Sequence, residues 1–358
     1  MRLERLVVRG FRNLEALDCA VPADGAALLG PNGQGKTNLL EAIYYPVLFR
    51  SLRGGTDAEV TAFGGSGFQV SAAVAAEAAP LVLSATYQTA GKRKRITVDG
   101  ADTPRLSDAA GRWTAVAFLP SDVGLASGPA AERRQYLDRM LSLADRGYLR
   151  ALTRYRAALT QRNSALRQQR PDMVDAFDAP LSDAGAAVVA RRLAWLERAG
   201  PRFAAELEAL GETAHGVLRY HGSVALADRA EWRQALGQAR TRDSARGLTT
   251  VGPHRDDLTI EVGGRELRTF GSTGQQRSAA IALKLVELET LTEARSIQPA
   301  LLLDDVFAEL DGERQQRLAA RLVRPDVRQV FITAPRLDEL PASVHLPRWQ
   351  VSAGKVSA

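Results

Sequence analysis

Gly30-Pro31-Asn32-Gly33-Gln34-Gly35-Lys36-Thr37 fills every required position of the spacing G-x-x-x-x-G-K-[ST]. Ahead of it, the apolar run Ala26-Ala27-Leu28-Leu29 reads as a buried strand; behind it, Leu39-Leu40-Glu41-Ala42-Ile43 reads as a helix. Glycines between the two let backbone N–H groups turn inward, and the helix N-terminus adds partial positive charge. The stretch predicts a loop that cradles the phosphates of a nucleoside triphosphate. Lys36 reaches the β/γ-phosphates and the Thr37 hydroxyl binds Mg²⁺. The plain alternative is a glycine turn. Against it, only 5 of the 47 basic residues are lysine, and one of them stands here.

Composition narrows the field around that loop. The 358 residues suffice for one large or two moderate domains, and 45% hydrophobic with 25% charged residues is an ordinary globular balance. No apolar run reaches 18 residues, and the N-terminus Met1-Arg2-Leu3-Glu4-Arg5-Leu6 mixes charge with apolar residues, unlike a signal peptide. A single Cys19 excludes an internal disulfide framework, and with four histidines it cannot build a structural zinc site. A cytoplasmic location is the expectation. The net charge of +6 supports a nucleic-acid partner only weakly.

Organisation along the chain follows from the changing periodicity. Residues 6–8, 26–29, 68–76, 81–88, 96–98 and 115–119 read as strands, with the helix 37–49 after the loop. From 130 to about 245 the pattern is helical. Leu137, Leu141, Ala144, Tyr148, Leu152, Tyr155 and Leu159 share one face, and Val189, Leu193, Leu196, Phe203, Leu207 and Leu210 repeat the pattern. Breaks are expected at Pro171 and at Gly200-Pro201, too frequent for a long coiled coil. Residues 258–262, 300–303 and 330–333 read as strands alternating with helices, as in a parallel sheet. The expected architecture is α/β: a mixed sheet carrying the phosphate loop, a flanking antiparallel sheet and an inserted helical arm. The nucleotide domain would be discontinuous, 1–125 with 250–358, around an arm of 126–249.

Two further segments complete a candidate site. Leu301-Leu302-Leu303-Asp304-Asp305 is an apolar strand ending in paired carboxylates, and strand C-terminal ends are where open α/β sheets bind ligands. Asp304 is the expected Mg²⁺ partner beside Thr37, and Asp305 the acceptor for the water attacking the γ-phosphate. A helix-capping Asp pair is the alternative. Phe270-Gly271-Ser272-Thr273-Gly274-Gln275-Gln276 precedes a helix; Ser272 can cap it and leave the Thr273 and Gly274 N–H groups open to an anion. Alone, that is a capping turn.

Together these pieces resemble ABC-type ATPases of the SMC branch, in order as well as in kind. The opening Val8-Arg9-Gly10-Phe11-Arg12-Asn13-Leu14 is similar to the first strand of that branch. Within it, the RecF family of bacterial recombination-repair ATPases is the one resembled. The residues carrying this are Gly35-Lys36-Thr37-Asn38-Leu39-Leu40-Glu41-Ala42-Ile43-Tyr44, Phe118-Leu119-Pro120-Ser121-Asp122, Glu132-Arg133-Arg134-Gln135-Tyr136-Leu137-Asp138, Gly252-Pro253-His254-Arg255-Asp256-Asp257 and Ser272 to Arg277. They span the chain from residue 1 to about 335.

The resemblance implies ATP and Mg²⁺ as ligands, with Arg12 and residues 30–38 on the nucleotide. Ser121 and Asp122 would take the place of the loop that senses Mg²⁺ and water. Ser272, Thr273, Gly274, Gln275 and Gln276 would form a signature that touches the γ-phosphate held by a second subunit, and Asp311 would cross that interface. It further implies a head-to-tail dimer gated by ATP, weak DNA-stimulated hydrolysis, and double-stranded, gapped or junction DNA as ligand. RecR and RecO would be partners, helping to load RecA in repair, replication and the SOS response near the bacterial nucleoid. Two departures stand out. Asp305 replaces the glutamate of relatives at the general-base position, and Ala334-Pro335 stands where a switch histidine is expected. One methylene fewer moves the carboxylate by about a bond length, and a displacement of that order can cost about 100-fold in rate, which suits a slow switch.

For DNA, the densest cationic run is Lys92-Arg93-Lys94-Arg95, and Arg154, Arg156, Arg162, Arg167 and Arg170 lie along the arm. Solvated charge with no ligand is the alternative for each. No base-reading motif is present, so contacts would be to phosphates and salt-dependent. Competing classes are a transporter's nucleotide-binding subunit and an SMC-like structural ATPase. The long arginine-rich interval between Thr37 and Ser272 opposes the first, and the expected arm breaks oppose the second. A small-molecule kinase would not need residues 272–276.

Overall fold

A computed structural model describes residues 1–75, 80–222, 228–308, 312–323 and 328–357. The chain forms two compact units, Met1–Ser121 with Glu287–Ala358, and Asp122–Val286. The second unit therefore extends past the arm boundary expected at 249. Its strand Asp257–Val262 pairs antiparallel with Gly216–His221 inside that unit, instead of joining the parallel sheet as its sequence suggested. The division falls within the helix Thr273–Arg295.

In the first unit, strands Ala115–Phe118, Ala300–Leu303, Val330–Ala334, Gly25–Leu29 and Arg348–Ser352 lie side by side in that order, all parallel. Lys355–Ser357 closes the edge antiparallel. Every residue of the first four is buried, which explains why they read as continuous apolar runs. A second, antiparallel sheet runs Leu17–Ala20, Arg2–Arg9, Gly67–Ala75, Leu81–Gln88, Arg93–Val98, Ala101–Asp102. Its strand Gly67–Ala75 alternates buried and half-buried positions, the period of a sheet covered on one face.

Helix Lys36–Leu48 contacts strands of both sheets and is buried on almost every side, so it shows no polar face. Phe11, Tyr45 and Phe68 fasten it to the antiparallel sheet, their rings meeting edge-on at 5.2–5.7 Å. The mixed sheet with a flanking antiparallel sheet is thus the fold that the periodicity indicated.

The second unit is built on helices Ala130–Ala144, Arg146–Arg167, Pro171–Ala209 and Arg229–Arg246. The apolar repeat that reads as one helix through 137–159 is two helices. Asp145 divides them and caps the second, accepting the Gly147 N–H at 2.6 Å. Pro171 does begin a new helix, at its first turn, where its missing N–H costs nothing. The break expected at Gly200-Pro201 does not occur: one helix of 39 residues passes through Pro180 and Pro201. Each interior proline forfeits a backbone bond, but buried Trp195, Ala199, Phe203 and Leu207 carry the apolar face across the second one.

Arginines hold this unit together from inside. Arg162 is fully buried; Nε donates to Asp178 at 2.7 Å, and Nη1 to Asp243 at 2.7 Å and Thr249 at 2.8 Å. Arg192, 2% exposed, donates to Asp138, Tyr148, Tyr220 and the Pro253 carbonyl. The stretch 252–257 is the brace around that guanidinium. Tyr220 donates to Asp256 at 2.6 Å, Arg133 holds Asp257 with two bonds of 2.8 Å, and His254 lies between the Tyr155 hydroxyl and the Thr249 carbonyl. Burial holds the His254 imidazole below its ordinary value. The contacts with Tyr155 and Thr249 tie His254 to the arm helix and to the chain ahead of it, which its spacing alone did not show.

Removing one member of such a buried charge cluster strands the others. Arg162→Met is expected to lower unfolding free energy by about 3–5 kcal/mol, read from urea denaturation, because Asp243 stays buried without its cation. A change under about 1 kcal/mol would show that water or repacking compensates.

Candidate phosphate-binding and catalytic site

The loop between strand Gly25–Leu29 and helix Lys36–Leu48 takes its shape from glycines. Gly35 has φ 112°, and a Cβ there would lie 2.9 Å from Asn13 Oδ1. It occupies the helix N-cap without a side-chain cap, and the first turn carries no acidic residue. The first N–H groups of that helix are thus left for an external acceptor, the reverse of an ordinary capped helix. Lys36, 5% exposed, folds into the loop, where Nζ donates to the Gly30 carbonyl at 2.6 Å, the Pro31 carbonyl at 3.2 Å and Asn32 Oδ1 at 3.4 Å. Gln34 anchors the loop to the C-terminal hairpin through the Ala353 and Gly354 N–H groups.

The paired acids come to the same place. Leu303 aligns with Ile332 and with Phe118, so Asp304 emerges at the C-terminal end of the parallel strands, its N–H on the Phe118 carbonyl. Thr37 Oγ1 lies 2.9 and 3.0 Å from the two Asp304 oxygens. A hydroxyl and a carboxylate together suit Mg²⁺, which takes few protein ligands and completes its shell with water and phosphate oxygens. Among the described residues no group of three or more His, Cys, Asp or Glu could hold a metal alone. Burial pushes the Asp304 carboxyl up; bonds from Thr333 and Thr37 oppose this, and the neighbouring Asp305 charge adds to it.

A network of ion pairs stands beside the loop. Arg12 is tied to the fully buried Glu41 by bonds of 2.9 and 3.1 Å and to the Glu59 carbonyl at 2.9 Å. Glu41 also accepts from Ser51 and Arg53. Burial alone would raise its carboxyl, but bonds from Arg12, Ser51 and Arg53 hold it below the ordinary range. Arg53, which the sequence reading passed over, donates to Asn38 Oδ1 at 2.6 Å, and its charge is felt at Asp304. The signal available was Glu41, a lone carboxylate in an apolar helix that needed a cation.

A groove of about 740 Å³ opens beside the first turn of the helix, lined by Arg12, Asn13, Asn38, Thr61, Phe63 and Thr89. Asn38 donates to Asn13 Oδ1 at 2.7 Å on its wall, and the Phe63 ring is fully exposed. Neither the groove nor Phe63 was legible in the sequence.

In the second unit, Ser272 caps helix Thr273–Arg295. Its Oγ accepts the Gln275 N–H and the Gln275 side chain accepts the Ser272 N–H, both at 3.2 Å. Ser272, Thr273 and Gly274 are exposed, while Gln276 is turned back onto the Leu267 carbonyl at 2.9 Å. Ser121 and Asp122 lie in the short 3-10 turn Pro120–Val123. Asp311 lies outside the described residues.

The basic run at 92–95 needs correction. Strand alternation turns Lys94 inward onto Asp57 and the Phe49 carbonyl, with its ammonium over the Tyr45 ring, so it is not available to DNA. Lys92, Arg93 and Arg95 remain exposed, Arg95 paired with Asp102. On the arm, Arg162 is spent in the core and Arg156 pairs with Asp138.

Known proteins share this arrangement. The family described as RecF/RecN/SMC N terminal domain matches residues 2–346. The DNA replication and repair protein RecF of Moorella thermoacetica is 36% identical over 366 residues, covering 99% of this chain and 96% of that protein. RecF of Myxococcus xanthus is 36% identical over 93% of this chain and 90% of its own. A solved structure of the recombination mediator protein RecF with ATP, in the RecFOR pathway, superposes with a TM-score of 0.92 at 30% identity, covering 99% of this chain and 97% of that one. An Smc head bound to the C-winged helix domain of ScpA shares the fold alone, with a TM-score of 0.55 at 14% identity.

The raised Asp304 carboxyl carries a signed prediction. Because its folded value lies above that of the open chain, its ionisation opposes folding as pH rises through and beyond about 4. In EDTA, Asp304→Asn should therefore raise the thermal midpoint at pH 8, and the gain should vanish near pH 4. Equal midpoints at both pH values would contradict the assignment.

Proposed function

The chain belongs to the RecF family of DNA replication and repair proteins, and from that premise we propose an ATP-gated, DNA-binding protein of recombinational repair. The observation that carries it is the Thr37–Asp304 contact beside an uncapped, glycine-entered helix that buries Lys36. Lys36 and the first-turn N–H groups bind the β- and γ-phosphates. Thr37 and Asp304 would hold Mg²⁺; bound there, the ion would neutralise charge on the phosphate oxygens. Asp305 orients water toward the γ-phosphorus. The groove lined by Asn38 and Phe63 receives the nucleoside. Arg12 orders this wall through Glu41 and Arg53 extends it.

The exposed cap of Ser272, Thr273 and Gly274 provides a second anion site, and two chains clasping one ATP supply both halves. Functionally, the ATP-binding domain is then 1–125 with 250–358, the arm is 126–249, and Asp311 crosses the interface. The γ-phosphate bridges two helix N-termini, so its loss on hydrolysis loosens the pair. DNA phosphates bind the closed dimer, with Lys92, Arg93 and Arg95 among the contacts, and hydrolysis is slow and DNA-stimulated. By family, the dimer marks gapped or junction DNA and acts with RecR and RecO toward RecA loading at the nucleoid.

Sedimentation decides the central point: ATP should shift monomer to dimer and ADP should not. Equal association with both refutes the clamp. Ser272→Arg should keep ATP affinity and abolish hydrolysis, Lys36→Met should lose binding, and Asp305→Asn should trap the ATP-bound dimer. DNA binding by that dimer should weaken steeply with salt.

A further inference from the structure

Among the described residues, Thr333 is the one whose hydroxyl contacts both acids, and its sequence neighbourhood gives no hint of it. It is the penultimate residue of the buried strand Val330–Ala334, which aligns Ile332 with Leu303, so that position 333 lies level with Asp304. Its side chain, in a residue 2% exposed, makes three contacts. The Asp305 backbone N–H donates to its Oγ1 at 2.9 Å, and its own hydroxyl faces Asp304 Oδ1 at 2.9 Å and Asp305 Oδ1 at 3.1 Å.

Asp305 needs such a hold. Its φ is 46°, in the left-handed region that residues other than glycine seldom adopt. Strain of this kind persists only where the surroundings fix it, and it concentrates where a side chain must point in an unusual direction. The Ala308 N–H on the Asp305 carbonyl closes the turn on the other side. A cavity of about 200 Å³ opens next to it, lined by Asp305, Phe307, Gln315, Thr333, Pro335 and Asp338, so solvent reaches the carboxylate from there.

We propose that Thr333 is a positioning residue for hydrolysis: its hydroxyl fixes the left-handed turn at Asp305 and aims that carboxylate. The hydroxyl has one proton for two carboxylates, so it can donate to only one at a time. When Asp304 is engaged by the cation, the proton is free for Asp305 Oδ1, leaving Oδ2 for the attacking water. This rests on the reading of Asp305 as the water-orienting acid, and it accounts for a site in which Ala334 stands where a histidine was expected.

The test uses the full-length protein with Mg²⁺-ATP. Thr333→Val keeps the shape and removes all three hydroxyl contacts; kcat should fall about 10- to 100-fold, with ATP affinity and ATP-dependent dimerisation unchanged. Thr333→Ser should recover most of the loss, and Thr333→Ala, in case valine disturbs the strand, should match valine. Combined with Asp305→Asn, Thr333→Val should slow single-turnover hydrolysis no further, since it acts through that carboxylate. Parental turnover in both Thr333→Val and Thr333→Ala overturns the proposal, as does full additivity with Asp305→Asn. Failure of the underlying reading looks different: Asp305→Asn alone would hydrolyse at the parental rate.

Discussion

Thr37 and Asp304 are 267 positions apart in sequence and 2.9 Å apart in space, and the parallel register of three strands makes them meet. Gly25 to Leu29 pair with Val330 to Ala334, and Leu301 to Leu303 pair with Val330 to Ile332. The phosphate loop and the paired acids therefore leave the sheet at the same end and the same level. A one-residue slip would reverse the facing of each side chain and separate the hydroxyl from the carboxylate. Backbone bonds at the strand ends hold the register, among them the Leu301 N–H on the Gln329 carbonyl and the Asp304 N–H on the Phe118 carbonyl.

Around that meeting point, charge is arranged by burial more than by number. Glu41 has no exposure and is sandwiched by Arg12 and Arg53, so a carboxylate inside an apolar helix becomes the clamp for two loops flanking the phosphate site. Asp304 is different: its partners are hydroxyls and its nearest charged neighbour in sequence is another acid. One carboxylate is satisfied by the fold itself, while the other favours a cation from outside. The same logic sorts the basic residues. Lys94, Arg162 and Arg192 serve the interior, which leaves Lys92, Arg93 and Arg95 for anything that approaches the surface.

The phosphate loop, the acid pair and the cap at Ser272 were all legible beforehand, because each is a local pattern whose chemistry lies within a few consecutive residues. Most strands of the two sheets in the first unit were legible for the same reason, although the edge strands Leu17–Ala20 and Ala101–Asp102 and the C-terminal hairpin 348–357 were not. Where the sequence reading failed, the error lay in long-range competition. Pro201 has the signature of a helix break, yet burial of Phe203 and Leu207 outweighs one missing bond. Strand Asp257–Val262 has the apolar content of the parallel sheet but finds its partner in Gly216–His221.

The order of short motifs along the chain was enough by itself to mark a candidate phosphate loop at a helix N-terminus and to point to the family to which the chain belongs. Only the tertiary structure decided which side chains complete the site. Arg53 on Glu41 and Asn38, Thr333 on Asp304 and Asp305, and the exposed ring of Phe63 beside the groove have no sequence signature. Their roles arise from proximity across the fold, and a side chain's neighbours in space are fixed by strand register and packing, which no short window of residues contains.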